Sequence, residues 1–498
     1  MYSFIISLIA LILGYLLYGK FVDRVFGPDS KKVTPAISKA DGVDYVILPK
    51  WKLFMIQFLN IAGTGPIFGA IMGAKFGPTA YLWIVLGSIF AGGVHDYFSG
   101  MLSIRHNGAS LPDIMGIYVG KRTKSLMLVF TLLLLLLVGT VFVYSPALIF
   151  GEMTGDGSQK AILIWVCIIF GYYILATLLP IDRLIGKFYP IFAACLLFMA
   201  IALMICLFIH WPDIPEFWQG LGNKGAAVGL AGMDKQPIFP CLFITIAGGA
   251  LSGFHSTQSP LMARCMENEN EGRGTFYGAM ISEGIVALIW AAVASYFFFD
   301  GGAEASGSSL SASAPEVVTK ISKYWLGAIG SILAVIGVAI APITSGDTAF
   351  RSARLVIADA FNIDQKPKKN RLFIAIPIFA ITLALLAFNI KNEDGFNIIW
   401  RYFGCANLVL ACFTLWAAVE FLLTKKKGAV ILVALIPAMT MTSICFAYIA
   451  TAKIGFGLPM KWAWPVADIT FIVCLMNSII RRVRLRHREQ RNRLGQEQ

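Results

Sequence analysis

The sequence predicts an all-α membrane protein with about 13 transmembrane helices. Of its 498 residues, 57% are hydrophobic and 14% are charged, whereas a soluble globular domain has about a quarter charged residues. The apolar residues lie in blocks of about 20, which is the length that a helix needs to cross a bilayer. The mean hydropathy of +0.73 agrees with this class. These observations exclude an ordinary soluble protein and a disordered chain.

Each apolar block is read as one membrane-spanning helix. The predicted spans are 3–19, 51–74, 79–103, 126–149, 161–180, 188–209, 237–262, 274–298, 326–346, 372–390, 397–423, 429–450 and 464–480. The second span is interrupted by glycines and a proline, which predicts a break in that helix.

The cationic residues predict the orientation of the chain. With the N-terminus outside, about three quarters of the 41 Lys and Arg residues lie in loops that fall inside, and cationic residues in short loops resist translocation. We therefore expect an external N-terminus and an internal C-terminus, in the cytoplasmic membrane. The net charge of +13 is then explained by topology without a nucleic-acid partner. The arginine-rich tail after residue 480 is typical of a cytoplasmic anchor at anionic lipid.

Sequence motifs of enzymes and of metal sites are missing from the chain. Its nine cysteines lie in or at the edges of predicted spans without a C-x-x-C pair, so neither a disulfide framework nor a metal site is predicted. There is no H-E-x-x-H, G-x-S-x-G or phosphate-loop motif. We expect a protein that is not an enzyme and that uses no cofactor.

Two glycine-containing segments match each other. Phe58–Gly65 and Phe243–Ala250 share Phe, Ile, Ala and Gly at four positions. The first lies in a span that runs outward and the second in a span that runs inward, so the repeat is inverted. Paired broken helices of this kind indicate a secondary transporter with its substrate and ion sites at the breaks. Glycines that serve only close helix packing are the alternative.

The two breaks are the predicted place of the substrate. Unpaired backbone groups at membrane depth are tolerable only where they line a polar cavity or bind a ligand. The candidate substrate-binding residues are Gly63, Thr64, Gly65, Gly248, Gly249, Ser252, Gly253 and His255.

Ionisable residues within the spans are candidates for proton coupling, because such residues are costly in a membrane and are functional by default. Asp96 and Glu283 are separated by nearly the same offset as the two breaks. A hydrogen-bonded structural role is the alternative for each candidate, and His95 is a weaker candidate than the others. The proton-coupling candidates are Asp96, Glu283, Asp347 and His255.

A third polar cluster, Ala341–Thr348, lies at the predicted cytoplasmic end of the ninth span. Hydroxyl, carbonyl and carboxylate oxygens suit a hard cation such as sodium. A helix C-terminal cap followed by a turn is the alternative.

With these motifs the chain resembles the carbon starvation protein A family. The resemblance rests on Asp41–Tyr45, Ile61–Pro66, Phe243–Ala247 followed by Ser252–His255, and Ser345–Arg351, and it extends to about residue 480. It implies the LeuT-type fold of the amino acid/polyamine/organocation group, with two inverted five-helix repeats. It also implies uptake of peptides or pyruvate during carbon starvation.

The resemblance further implies a division of the chain and a set of ion ligands. The division has an extra N-terminal helix and cytoplasmic loop, two five-helix repeats, and two additional helices with a basic cytoplasmic tail, at 1–50, 51–236, 237–425 and 426–498. In sodium-coupled members of the fold, the cation lies between the first broken helix and the eighth core helix. The equivalent ligands here are the carbonyls of Leu59, Ala62 and Ala341 and the hydroxyls of Thr344 and Ser345.

We therefore expect a symporter that imports a short peptide or pyruvate, with a proton or sodium as the coupling ion. Asp96, Glu283 and His255 favour the proton, whereas Thr344 and Ser345 favour sodium, and the choice stays open. A nutrient sensor on a transporter fold is the alternative function.

Overall fold

The computed structural model describes residues 1–494 apart from 155–157, 179–180, 366, 393–394 and 427. Every regular element in this part of the chain is a helix, and no strand occurs in it. The helices that build the membrane region are α1 (Tyr2–Phe26), α2 (Lys50–Ile61), α3 (Gly65–Ala74), α4 (79–105), α5 (Leu111–Tyr118), α6 (Lys121–Thr154), α7 (Gln159–Leu178), α8 (Ile181–His210), α9 (Ile238–Thr245), α10 (Ala247–Ala263), α11 (Gly278–Phe299), α12 (Ala314–Phe361), α13 (Lys368–Lys391), α14 (Gly395–Lys425), α15 (Leu432–Thr451) and α16 (Ala463–Leu494).

The predicted all-α membrane architecture is confirmed. Among the described residues, 10 helices are long and apolar enough to cross a membrane, and the bent pairs α2/α3 and α9/α10 raise the number to 12. The remaining predicted span, 79–103, corresponds to α4, in which Thr79–Leu86, Gly87–Gly92 and Gly93–Arg105 follow one another without a gap. This helix is less apolar than the others because it carries the adjacent polar pair His95 and Asp96.

Helix α12 is longer than the sequence predicts. The ninth span was expected to end near Ser345, but the helix continues to Phe361 and is capped by Asn362 in the left-handed conformation, with φ of 53°. The interpretation of Ala341–Thr348 as a C-terminal cap and turn is therefore wrong. The helix tolerates these hydroxyl residues because their side chains bond to carbonyls of the preceding turn.

The extension of α12 also changes the place of two cationic residues. The predicted ninth span ends at residue 346, which would place Arg351 and Arg354 in the following inside loop, but both are fully buried residues of the helix. They therefore belong to the protein interior rather than to a solvated loop.

Loops that the predicted topology puts on the same side of the membrane are in contact with each other. At one end of the helices, Arg105, the last residue of α4, pairs with Glu269 before α11, at 3.1 Å between Nη2 and Oε2. At the other end, the N–H of Gly225 donates to the carbonyl of Lys75 at 2.8 Å. The assignment of the first end to the cytoplasm stays a prediction.

The two broken helices are antiparallel, as the inverted repeat predicts. The pair α2/α3 begins at the end of the molecule where the N–H of Leu48 donates to the Cys265 carbonyl. It finishes at the opposite end, which carries Gly225. The pair α9/α10 runs the other way and ends at Arg264 beside Cys265. Helix α2 packs against α8 and α11, and α10 packs against α2 and α4, so each broken helix lies among other helices. Helix α12 packs along α6 and α8.

Candidate functional site

The first break separates α2 from α3 at residues 62–64, and the two helices meet at 55°. Ala62 leaves helical geometry, with φ of −76° and ψ of 50°. Pro66 follows and lacks the N–H that would continue the helix. The Thr64 hydroxyl is buried and has no hydrogen-bond partner among the described residues, so a polar group at this break faces the interior unsatisfied.

The second break lies in α9/α10, whose halves meet at 70°. Its extended stretch is held by Asn407 of α14. The Asn407 side-chain oxygen accepts from the Ser252 hydroxyl at 3.0 Å and from the Phe254 N–H at 2.8 Å. The N–H of Gly253 donates to the Asn407 carbonyl at 3.1 Å. One amide residue thus satisfies the backbone and side-chain groups that the break frees.

The two breaks meet at a pair of glycines. A Cβ placed on Gly65 would lie 2.7 Å from the Gly248 Cα, and one placed on Gly248 would lie 2.4 Å from the Gly65 Cα. The structure therefore brings these two predicted substrate-binding residues into backbone contact. The contact is too close to admit a ligand between them, so a substrate at the breaks must lie to one side of this point.

Four titratable side chains from three helices form a chain beside the second break, here called the histidine–carboxylate chain. Asp96 lies between two histidines, with Oδ1 at 2.7 Å from His95 Nδ1 and Oδ2 at 2.8 Å from His255 Nδ1. The other ring nitrogen of His255, Nε2, is 3.4 Å from Glu283 Oε2. Each of the four side chains is at most 1% exposed. Three proton-coupling candidates are thus brought together, and His95, the weaker candidate, joins them.

The fourth proton-coupling candidate, Asp347, lies elsewhere. Its Oδ2 accepts from the Tyr189 hydroxyl at 2.7 Å. Within the described residues, no hydrogen bond or ion pair links Asp347 to the histidine–carboxylate chain. The described residues also contain no group of three or more His, Cys, Asp or Glu side chains that could hold a metal ion.

The predicted sodium ligands are partly assembled around the Ser345 hydroxyl. Ser345 Oγ lies 3.2 Å from the Leu59 carbonyl oxygen, 2.9 Å from that of Asn60 and 2.9 Å from that of Ala341. Thr344 Oγ1 lies 2.9 Å from the same Ala341 oxygen. These contacts place α12 against the end of α2, next to the first break.

Two polar residues of this region were not predicted. The Asn60 carbonyl contacts Ser345, where the fold analogy named Ala62, and no hydrogen bond joins Ala62 to either hydroxyl in the described part of the chain. Asn407 was also missed. Both are amides inside apolar spans, and a search extended from ionisable to amide side chains would have found them.

The chain is similar to proteins of one known family. The model of the family described as carbon starvation protein CstA matches residues 1–154, 152–323 and 299–447. An uncharacterized membrane protein of Haemophilus influenzae is 47% identical over 336 residues, which cover 59% of this chain and 91% of that protein. The Bacillus subtilis protein named peptide transporter CstA is 27% identical over 532 aligned positions, and the alignment covers 87% of each chain. The Escherichia coli protein named pyruvate/proton symporter BtsT is 26% identical over 338 residues, covering 56% of this chain and 46% of that one.

Solved structures share the fold. A manganese transporter of Eremococcus coleocola superposes with a TM-score of 0.55 at 13% identity and covers 90% of this chain and 99% of its own. A Na⁺-coupled sialic acid symporter superposes with a TM-score of 0.54 at 13% identity and covers 94% of this chain and 96% of its own. The likeness confirms the predicted LeuT-type fold with its inverted five-helix repeats.

Proposed function

Because this chain belongs to the carbon starvation protein CstA family, we propose that it is a secondary active transporter that imports a short peptide or pyruvate by ion-coupled symport. The relatives named for peptide transport and for pyruvate/proton symport support this class of substrate. The structural neighbours are ion-coupled or ion-carrying transporters of the same fold. We further propose that it acts in the cytoplasmic membrane with its N-terminus outside and its C-terminus inside.

The proton is the coupling ion that the geometry supports best, and the histidine–carboxylate chain is the observation that carries this proposal. Three nitrogen–oxygen contacts link its members, and the two to Asp96 are hydrogen bonds, each of which requires one proton. Two neutral imidazoles supply these two protons, and a third proton would convert the 3.4 Å contact between His255 Nε2 and Glu283 Oε2 into a hydrogen bond. A further proton on Glu283 would remove the remaining negative charge, which is costly to keep in a buried site.

The position of His255 explains how proton binding would be coupled to the substrate. His255 lies two residues after Gly253 in the second break, whereas Asp96 and Glu283 lie on α4 and α11. Any rearrangement of the break that follows substrate binding therefore moves the imidazole relative to its two carboxylates. The proton would be held in one arrangement and released in the other, which is the requirement of alternating-access symport.

The test is uptake of a labelled dipeptide or of labelled pyruvate into proteoliposomes, with pH and sodium gradients imposed separately. We expect the wild-type protein to respond to the pH gradient. Glu283→Gln keeps the side-chain volume but removes the titratable group, and we expect it to lower proton-driven uptake at least about tenfold. Glu304→Gln, at an exposed residue of the loop between α11 and α12, is the control and should transport like the wild type.

Three outcomes would contradict the proposal. Transport that is indifferent to both gradients would exclude symport, and ligand binding without transport would favour a nutrient sensor on a transporter fold. Glu283→Gln that retains the full pH response would remove the histidine–carboxylate chain from the coupling mechanism.

Sodium coupling is the second candidate, and the contacts of Ser345 favour it. A sodium ion at this place would be bound by the Ser345 hydroxyl oxygen and by the carbonyl oxygens of Leu59, Asn60 and Ala341, with the Thr344 hydroxyl as a further oxygen ligand. Uptake driven by sodium in the absence of a pH gradient, and weakened by Ser345→Ala, would support this candidate over the proton.

A further inference from the structure

The loop between α1 and α2 presents a carboxylate to the protein interior. Its turn is held by Asp41, whose Oδ1 accepts from the backbone N–H groups of Val43, Asp44 and Tyr45 at 2.8, 3.0 and 2.9 Å. A side chain that binds its own backbone in this way stabilises a local turn. The turn thereby holds Asp44 and Tyr45 together, and both side chains point toward other helices.

Asp44 is the partner of two buried arginines. It is 4% exposed, and its Oδ1 lies 3.7 Å from Arg351 Nη1 and 3.9 Å from Arg354 Nη2. Both arginine side chains are fully buried in α12. Arg351 lies one helical turn after Asp347, so a second carboxylate of the same helix is near it.

The contact with Arg354 is loose. Both distances to Asp44 are longer than a hydrogen bond, and Arg354 Nε and Nη2 have no hydrogen-bond partner among the described residues. Only its Nη1 is hydrogen-bonded, to Gln365 Oε1 at 2.6 Å. A fully buried guanidinium with unused donors in a planar fork is suited to bind a carboxylate with two hydrogen bonds.

A polar stripe runs along another face of α12 and ends at the level of the arginines. The stripe begins at Ser345 beside the first break, and Thr348 follows it at 3.5 Å from the Asn60 side chain. Farther on, the Ser352 hydroxyl donates to the Thr257 carbonyl of α10 at 2.9 Å. The spacing of three, four and seven residues puts these side chains on one helical face. The stripe thus leads from the breaks to the end of the molecule predicted to be cytoplasmic.

Two cavities flank the ion pair at the end of this stripe. Arg264 Nη2 lies 3.2 Å from Asp359 Oδ2, and both residues line an inner cavity with Ser256, Thr257 and Ser352 and an outer cleft of about 460 Å³. Tyr45, also in the outer cleft, lies over the Arg264 guanidinium at 5.3 Å. Burial raises the pKa of Tyr45, so its ring stays neutral over the cation. The Asp41–Tyr45 turn therefore covers the point where the stripe opens.

We propose that Arg351 and Arg354 form a transient binding site for the carboxylate of the transported nutrient on its way to the cytoplasm, and that Asp44 occupies this site while the path is closed. The inference rests on the proposed function, since peptides and pyruvate both carry a carboxylate. One carboxylate replaces another on the same arginines, so the guanidinium of Arg354 is not left unpaired in either state. Release of Asp44 also releases Tyr45 from Arg264, because Asp41 holds both in one turn.

The test is hydrogen–deuterium exchange of the purified full-length protein, read at the backbone amides of residues 41–48. Asp44→Asn keeps the shape of the side chain and removes its charge, and we expect exchange in this segment to rise about tenfold. Asp29→Asn, in the same loop but paired with backbone at Lys31, is the matched control and should leave the exchange unchanged. Addition of pyruvate or dialanine to the wild type should also raise exchange at 41–48, and Arg354→Gln should abolish this response to the ligand.

The outcomes separate this inference from the proposed function. Unchanged exchange in Asp44→Asn, or a response to ligand that survives in Arg354→Gln, would overturn the arginine site even if the protein transports peptides or pyruvate in proteoliposomes. Absence of all transport would contradict the proposed function alone if pyruvate or dialanine still raised exchange at 41–48 in the wild type, and it would overturn the arginine site as well if neither ligand did. Uptake that persists while both ligands leave exchange at 41–48 unchanged would overturn the site alone.

Discussion

At the residue scale, Asn407 holds the second break in place through hydrogen bonds. Its side-chain oxygen accepts two hydrogen bonds from the second break, and its carbonyl accepts a third. A break in a membrane helix survives only if its freed backbone groups find partners. Asn407 supplies them from another helix, which couples the shape of the break to the position of α14.

Asn407→Ala should weaken the second break, because the Phe254 N–H would lose its partner in a buried place. An unsatisfied buried donor costs about 1–3 kcal/mol, so we expect a lower melting temperature in detergent and reduced uptake. Asn392→Ala, at an exposed residue, is the control. Equal melting temperatures for both variants would show that the break does not depend on this amide.

Asp96→Asn separates charge from shape in the histidine–carboxylate chain. The amide keeps the size of the carboxylate but cannot accept from both histidines at once as a carboxylate does. We expect proton-driven net uptake to fall at least about tenfold. Exchange of labelled for unlabelled substrate, at equal concentrations on both sides of the membrane, should fall less. Equal loss of exchange and of net uptake would mean that Asp96 supports the fold of α4 rather than proton movement.

The sequence predicted the members of this chain better than their arrangement. Asp96, Glu283 and His255 stand out because each is ionisable within an apolar span. Their contact depends on the crossing of α4, α10 and α11, which no short-range pattern encodes. His95 was the weaker candidate, although the structure puts its Nδ1 2.7 Å from Asp96 Oδ1.

At the element scale, the two broken helices approach each other as closely as backbone allows. The glycine-interrupted spans and their inversion were predicted from the sequence, since glycine and proline act locally on helix geometry. The direct contact between Gly65 and Gly248 was not predicted, because it is set by the packing of both pairs against α11. The length of α12 was also missed, because its hydroxyl cluster mimics a helix end in sequence.

Gly65→Ala and Gly248→Ala should each disturb the crossing of the breaks. The added Cβ would meet backbone atoms at 2.7 and 2.4 Å, and backbone cannot move aside as a side chain can. Overpacking of this kind costs about 1–3 kcal/mol, so we expect a lower melting temperature and loss of transport. Gly171→Ala, where the Cβ would meet nothing within 4 Å, should be tolerated, and similar losses in all three variants would contradict the crossing.

At the scale of the whole molecule, the loops are sorted into two groups by contact as well as by charge. Arg105 and Glu269 join loops of one group, and Lys75 and Gly225 join loops of the other. The alternation of the predicted spans predicted this sorting, and the bias of Lys and Arg toward one group of loops supported it, because cationic residues in short loops resist translocation.

Cysteine labelling tests the orientation of the molecule. We expect Leu221→Cys, at a residue that is 45% exposed, to react with a membrane-impermeant maleimide in intact cells. Ile37→Cys, at a residue that is 48% exposed, should react only after permeabilisation. The unsubstituted protein is the control for its own cysteines, and the reverse pattern would invert the proposed topology.

The histidine–carboxylate chain crosses the boundary between the two inverted repeats. Asp96 lies in the predicted first repeat, 51–236, whereas His255 and Glu283 lie in the predicted second repeat, 237–425. Because both repeats lie in one polypeptide, the four side chains of the histidine–carboxylate chain meet without the association of separate subunits, so its assembly does not depend on protein concentration.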